Sequence, residues 1–251
     1  MTIDRPRLRR GTPAAMAVIG VLVAGLTGWV VLNSAFFAIR DIRVEGATHV
    51  PADEIRQLAE IRSGQNLVTL PVEEVAGRVE VHPWILDARV ERDLPTTAVI
   101  TVIERRPGGW LRDPAGIAVV AGDGTVLERL QARPSNLPEI GELSSSPSPG
   151  DRVEAPAETL RVAASMSEPL RRQVESLRVE GQNVVGLLRS GGAVLYGSAE
   201  ELRAKNRALA EMLRWARKEG IDVRTIDVRV PTAPSLEPVG PLHEFRPDPS
   251  P

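Results

Sequence analysis

Residues 14–32 run for nineteen positions without a charge, and the uncharged stretch extends from Gly11 to Ile39. A helix over that length rises about 28 Å, enough to cross the hydrocarbon layer of a membrane. Arg5, Arg7, Arg9 and Arg10 precede it against the single Asp4, and the next basic residue is Arg40. That asymmetry predicts a cytoplasmic N-terminus over residues 1–13, a transmembrane helix over 14–36 and an extracytoplasmic remainder, with Trp29 as an anchor at the outer interface and Arg9 and Arg10 as the inner flank. A cleavable signal peptide competes, but the apolar run is longer than the usual signal core and Asn33 stands where a small apolar residue is wanted. A buried core helix also competes, and it would need a polar face where only Thr27 is available.

About 214 residues follow, room for two ordinary domains. With the N-terminal four Arg and one Asp set aside, 27 basic and 32 acidic residues remain, so the outer part is mildly acidic. Nucleic acid is excluded as a partner, because a phosphate backbone demands a clustered basic face. The chain has no cysteine, so the outer domains are held by apolar burial without disulfides.

The first outer block, residues 37–107, reads as a small α+β domain. Ile42 and Val44 alternate with Arg43 and Glu45 in a half-buried strand that stops at Gly46. Pro51 opens a helix with Asp53 and Glu54 in its first turn and Ile55, Leu58 and Ala59 as its stripe, broken at residues 63–66. Pro71 opens a second helix, with Val72, Val75, Ala76 and Val79 on one face. A strand from Ile85 then alternates Leu86, Ala88 and Val90 inward. The last strand, 98–104, is apolar on both faces, which places it in the middle of a sheet.

That order of strand, helix, helix, strand, strand resembles a POTRA domain. The phrases over residues 37–46 (FAIRDIRVEG), 81–92 (VHPWILDARVER) and 95–107 (PTTAVITVIERRP) resemble the FtsQ/DivIB family of cell-division proteins.

The second block, 108–236, reads as a mainly antiparallel β-domain. Strands at 117–120 and 125–127 flank Gly122-Asp123-Gly124, where a tight turn needs positive φ. The Ser- and Pro-rich residues 144–150 form a surface excursion, and residues 157–166 a short helix over Leu160, Ala163 and Ala164. Three strands of a meander follow at 177–179, 184–189 and 193–196. Ser198 and Glu201 have the spacing of a capping box for a long C-terminal helix of Leu202, Leu209, Met212, Leu213 and Ala216, with Glu201 and Lys205 paired at i+4. A strand over 225–230 points Ile226, Val228 and Val230 inward and Thr225, Asp227 and Arg229 outward. Residues 237–251, rich in proline, read as a disordered tail. The fold class is α+β throughout.

The helix and strand that close this block are similar to the end of the FtsQ β-domain, and the resemblance spans residues 5 to about 236. It implies a non-catalytic scaffold at the division septum of the cell membrane, binding FtsB- and FtsL-type single-span partners through its outer face. It also implies strand addition at the last strands and a partner carboxylate meeting Arg229. The partner-binding residues are then Asp227, Arg229, Val230, Ala233, Ser235 and Glu237. Where the family often carries aromatics, this chain has Val230 and prolines. Because Pro234 and Pro238 share one parity, the N–H groups of Ala233, Ser235, Glu237 and Val239 are expected to face the partner, so that Ser235→Pro costs binding and not stability.

Catalytic readings find little to build on. His49, His82 and His243 have no second ligand at metal spacing, and His82 precedes Pro83-Trp84 in a capping or packing place. The pairs Asp53/Glu54, Glu73/Glu74 and Glu200/Glu201 start helices, where the dipole accounts for them. No metal, cofactor or small-molecule substrate is expected. An anchored envelope hydrolase is the alternative from another class, and a POTRA-bearing secretion component a third, though no train of barrel strands follows.

Overall fold

The computed structural model describes residues 13–32, 34–154 and 157–240, with side chains in the first segment from residue 17 to residue 29. Helix α1 runs over Pro13–Leu32. Its described side chains are all exposed, Val21 at 73% and Trp29 at 64%. Over the described residues no helix is long and apolar enough to cross a membrane, and the part of α1 whose side chains are described spans only about 20 Å. Arg9 and Arg10 lie outside the described residues.

Contacts divide the chain into two units: residues through Glu80 with Asp87–Glu104, and Val81–Leu86 with everything from Arg105. In the first unit, β1 (Asp41–Glu45), α2 (Ala52–Ala59), α3 (Val72–Glu80), β2 (Ile85–Asp93) and β3 (Thr97–Glu104) follow one another. The sheet order is β1-β3-β2 and β1 runs parallel to β3. Two-sided apolarity thus does put β3 in the centre. Ile55, Ala59, Val75, Ala76 and Val79 bury the helix stripes against Ala98, Ile100 and Val102 on the core side of the sheet. Two details differ from the pattern. Helix α2 ends at Glu60, whose φ of 51° turns the chain before the expected break at 63–66. Leu86 is 52% exposed because Leu86 and Asp87 point outward in succession, and Ile85 takes the buried place instead.

Glu104 fastens this unit. Its carboxylate accepts from the backbone N–H groups of Thr48 (3.0 Å), His49 (2.9 Å) and Val50 (2.9 Å), and from the Thr48 hydroxyl. Burial opposes the charge, but those donors together hold its pKa below the ordinary value.

The second unit is built on a nine-stranded sheet ordered β12-β11-β10-β9-β8-β7-β4-β5-β6. Its strands are β4 (Pro107–Asp113), β5 (Gly116–Ala121), β6 (Val126–Leu130), β7 (Glu139–Glu142), β8 (Val174–Glu180), β9 (Asn183–Leu188), β10 (Ala193–Gly197), β11 (Val223–Asp227) and β12 (Ser235–Pro238). Helices α4 (Ala157–Ser165), α5 (Glu168–Arg171) and α6 (Leu202–Glu219) complete it. Most pairs are antiparallel, but β4–β7, β7–β8 and β10–β11 are parallel. The core is one cluster in which Leu160, Val162, Ala163, Leu209 and Leu213 from the helices meet Leu177, Val184, Leu188, Val194, Ile226 and Val228 from the strands. In α4 the buried stripe is Thr159, Leu160, Val162 and Ala163, so Ala164 is not part of it. The turn at Gly124 has φ +85°, and a Cβ there would stand 2.9 Å from the Val153 carbonyl, so glycine is required twice over.

Candidate functional site

Strand β11 owes its place to α6. The buried Lys205 of that helix donates from Nζ to the carbonyls of Tyr196 (2.9 Å) and Ser198 (2.8 Å) at the end of β10, the strand beside β11. Next to it, the Tyr196 hydroxyl donates to Asn206 Oδ1 at 3.1 Å, and Asn206 Nδ2 donates to Ser165 Oγ of α4 at 2.8 Å. Tyr196 is wholly buried and burial pushes its pKa up. These bonds replace two sequence expectations. The capping box is not formed, since Glu201 has φ 49° and makes no side-chain cap bond; its carbonyl instead closes the first turn with Ala204 and Lys205. Lys205 is not paired with Glu201, because the helix turns it inward.

Beyond β11 the chain turns and comes back as β12. Ser235 pairs with Asp227, Leu236 with Ile226, Glu237 with Thr225, and Pro238 with Val223. The direction of the backbone groups follows from two bonds. Val228 N–H donates to Leu195 O at 3.0 Å, toward β10, so Asp227 and Thr225 face β12 by alternation. Val239 N–H donates to Asp222 O at 2.9 Å, so Glu237 and Ser235 turn toward β11 as well. Ala233 N–H is spent on Val230 O at 3.0 Å within the turn. The expected orientation is therefore reversed: Ser235, Glu237 and Val239 donate inward, Ala233 is spent in the turn, and the edge left open among the described residues belongs to Pro234, Leu236 and Pro238. Only the neighbour β11 decides this parity, and spacing of the prolines does not. Side chains follow the same alternation, with Pro234, Leu236 and Pro238 half-buried and Ser235, Glu237 and Val239 exposed. Residues 237 and 238, read as the start of a tail, are strand; residues 241–251 lie outside the described residues.

Asp227 and Arg229 both reach solvent, and they hold each other. Arg229 donates from Nη2 at 2.6 Å, from Nε at 3.0 Å and from its own backbone N–H at 2.9 Å. The arginine bond lowers the Asp227 pKa against the opposing effect of burial and raises that of Arg229. Arg229 lies over Gly197, where a Cβ would come within 3.0 Å of its Cγ. Val230 is not inward. The strand ends at Asp227, and Val230 sits in the following bend, 58% exposed. Glu237 is joined to Arg224 at 3.2 Å on the open face.

The opposite margin of the sheet, β6, has a different fate. Gly150 N–H donates to Val126 O at 2.8 Å and Val126 N–H to Asp151 O at 2.9 Å, so the residues 144–153 close over its first ladder position. Asp113 holds this strap: its Oδ1 accepts from Arg129 Nη2 (2.8 Å), Ser146 Oγ (3.0 Å) and Ala115 N–H (2.7 Å), and Arg129 Nη1 reaches Pro147 O at 2.8 Å. The Arg129 bond chiefly keeps the Asp113 pKa low. The serines and prolines read as a bare excursion are thus a cover for an edge.

Elsewhere, a cleft of about 500 Å³ is lined by Arg172, Arg189 and Arg217 with Leu213, Gly220 and Asp222. Its guanidiniums are engaged: Arg189 donates to Arg172 O (3.0 Å) and Leu137 O (2.9 Å), Arg217 to Gln173 Oε1 (2.8 Å), and Arg172 to Glu168. Two helix C-termini end there, where cations belong, so the cleft has a structural account. Trp110 is buried between the guanidiniums of Arg112 (5.9 Å) and Arg133 (5.7 Å). Among the described residues no group of three or more His, Cys, Asp or Glu could hold a metal ion.

A βααββ unit followed by a large sheet, one margin partly strapped and the other open among the described residues, defines a POTRA-bearing protein of two units. Residues 37–105 match the POTRA domain, FtsQ-type. Cell division protein FtsQ of Streptomyces coelicolor is 29% identical over 239 residues, covering 92% of this chain and 88% of that protein. FtsQ of Streptomyces bingchenggensis is 27% identical over 242 residues, 92% and 89% of the two chains. FtsQ of Syntrophotalea carbinolica reaches 38% identity over 100 residues, 39% of this chain and 36% of that one. Residues 37–105 thus carry an FtsQ-type POTRA domain, and over most of its length the chain is similar to cell-division proteins named FtsQ.

Proposed function

We propose that the protein is a non-catalytic, membrane-anchored scaffold of the division machinery, held by α1 with its N-terminus in the cytoplasm and both units outside, and concentrated at the septum. Its partners are FtsB- and FtsL-type single-span proteins, one of which adds a strand to β12. The observation that carries this reading is the margin at β12, the last strand of the sheet, whose outward side no other strand covers among the described residues. Strand addition to such a margin gives affinity through backbone bonds and selectivity through alternate side chains. The exposed Asp227–Arg229 pair beside it supports a charged contact at the same place. The similarity to FtsQ cell-division proteins supports the reading as well.

Two experiments test it. Co-expressed full-length chain and FtsB- and FtsL-type proteins should purify together on one affinity tag; if neither is retained while the two hold each other, the scaffold reading fails. Leu22→Arg should prevent stable insertion, since a charge at the centre of a span costs about 2.5–3.5 kcal/mol on insertion scales. A C-terminal reporter that stays outside and membrane-held after that change would contradict the anchor.

A further inference from the structure

Among the described residues no strand lies outside β12, and its outward side presents the carbonyls of Pro234, Leu236 and Pro238 and, because proline has no N–H, within the strand only the N–H of Leu236. An ordinary strand edge offers a donor and an acceptor at each of those positions. We propose that this is an acceptor edge, reserved for an extended segment of a different chain and closed to a second copy of this one; it rests on the reading that a partner joins the sheet here.

The bookkeeping of bonds decides between the two occupants. A foreign segment without proline can direct N–H groups at the carbonyls of Pro234, Leu236 and Pro238, and take one bond back from Leu236. A second copy related by a two-fold axis brings the same prolines. With Leu236 opposite Leu236, only that pair exchanges bonds, while Pro234 faces Pro238 with no donor on either side. Shifting by two residues leaves each Leu236 N–H still the sole donor of its copy. Unpaired edges are the standing hazard of sheet proteins, and proline on the outward parity suppresses self-pairing while leaving carbonyls for a donor-rich partner. The segment that fits therefore carries no proline at the three facing positions. It places an apolar side chain beside the half-buried Leu236 on the core side and a polar one beside the Glu237–Arg224 pair on the open side.

The test needs no partner protein. The full chain in detergent micelles, as wild type and as the double variant Pro234→Thr/Pro238→Thr, is sedimented over a concentration series, with one form fluorescently labelled in mixtures. Restoring outward donors should produce a dimer of the variant whose dissociation constant is about tenfold or more below that of wild type. In the mixture the variant acts as the foreign strand, so mixed dimers should fall between the two pure cases. Pro238→Thr alone gives a milder check, with a smaller shift in the same direction. Equal self-association of wild type and variants overturns the proposal, and so do mixed dimers no stronger than wild type alone. Such a result would condemn the edge chemistry and leave partner retention, tested above, to judge the scaffold reading.

Discussion

The two margins of the nine-stranded sheet solve one problem in opposite ways. At β6 the chain covers the first position of its own edge, with Gly150 and Asp151 bonded to Val126 and the buried Asp113 tying the cover down through Arg129 and Ser146. At β12 nothing of the described chain lies outside the strand, and the edge is restrained only by the placement of Pro234 and Pro238. A covered position is closed to strand addition, whereas a proline-guarded edge still offers its carbonyls to a segment that supplies donors. The difference teaches where a partner can join without unfolding anything.

The comparison breaks most visibly at the strap. Asp113→Ala removes the acceptor of three bonds from a side chain with no exposure and leaves Arg129 without its carboxylate, so stability should fall by about 2 kcal/mol. Thermal melts should record the loss, and hydrogen exchange at the Val126 amide should accelerate while Leu236 does not change. Acid should reach the same cluster without mutation. The folded-state pKa of Asp113 lies below its unfolded value, so its contribution is whole above about pH 4 and drains as the pH falls through the folded pKa. Exchange at Val126 measured down a pH series, after correction for the intrinsic rate, should rise there; a flat profile would remove Asp113 as the fastening.

Ser235→Pro comes next in size. Because the Ser235 N–H faces β11, this change should cost about 1 kcal/mol or more of stability. An unchanged melting temperature would mean that the odd-numbered groups face out after all. The smallest structural effect belongs to Arg229→Glu. Its guanidinium is exposed, so the melt should stay near wild type, yet retention of partners should weaken because two acidic groups would then stand together at residues 227 and 229. Unaltered retention would exclude the charged contact.

Much of this layout is legible in the chain itself. The two-faced apolarity of residues 98–104 put β3 in the centre, Asp123-Gly124 announced the β5–β6 turn, and the spacing of Leu202, Leu209, Leu213 and Ala216 outlined α6. What escaped were elements made by distant neighbours. Strand β4 begins Pro107-Gly108-Gly109 and is regular because β5 and β7 flank it, and the four-residue β7 is a strand because it lies between β4 and β8. Strand β12 has too few apolar residues to declare itself, and β11 supplies the pairing that makes it regular. At the candidate site the residues are proposed from the resemblance, and sequence does not tell which way their backbones face. Parity depends on the partner strand, and no local pattern encodes it. The outward Val230 and the mutual Asp227–Arg229 pair were hidden for the same reason, since β11 ends three residues sooner than its alternation suggests.

The account stands or falls on the Leu236 amide. Hydrogen exchange followed at Leu236 and at Val126, in the full chain alone and in its complex with co-purified FtsB- and FtsL-type proteins, compares the two margins in one experiment. The account predicts that Leu236 exchanges freely alone and becomes protected in the complex, with Val126 the same in both. Protection gained at Val126, or none gained at Leu236, would contradict it.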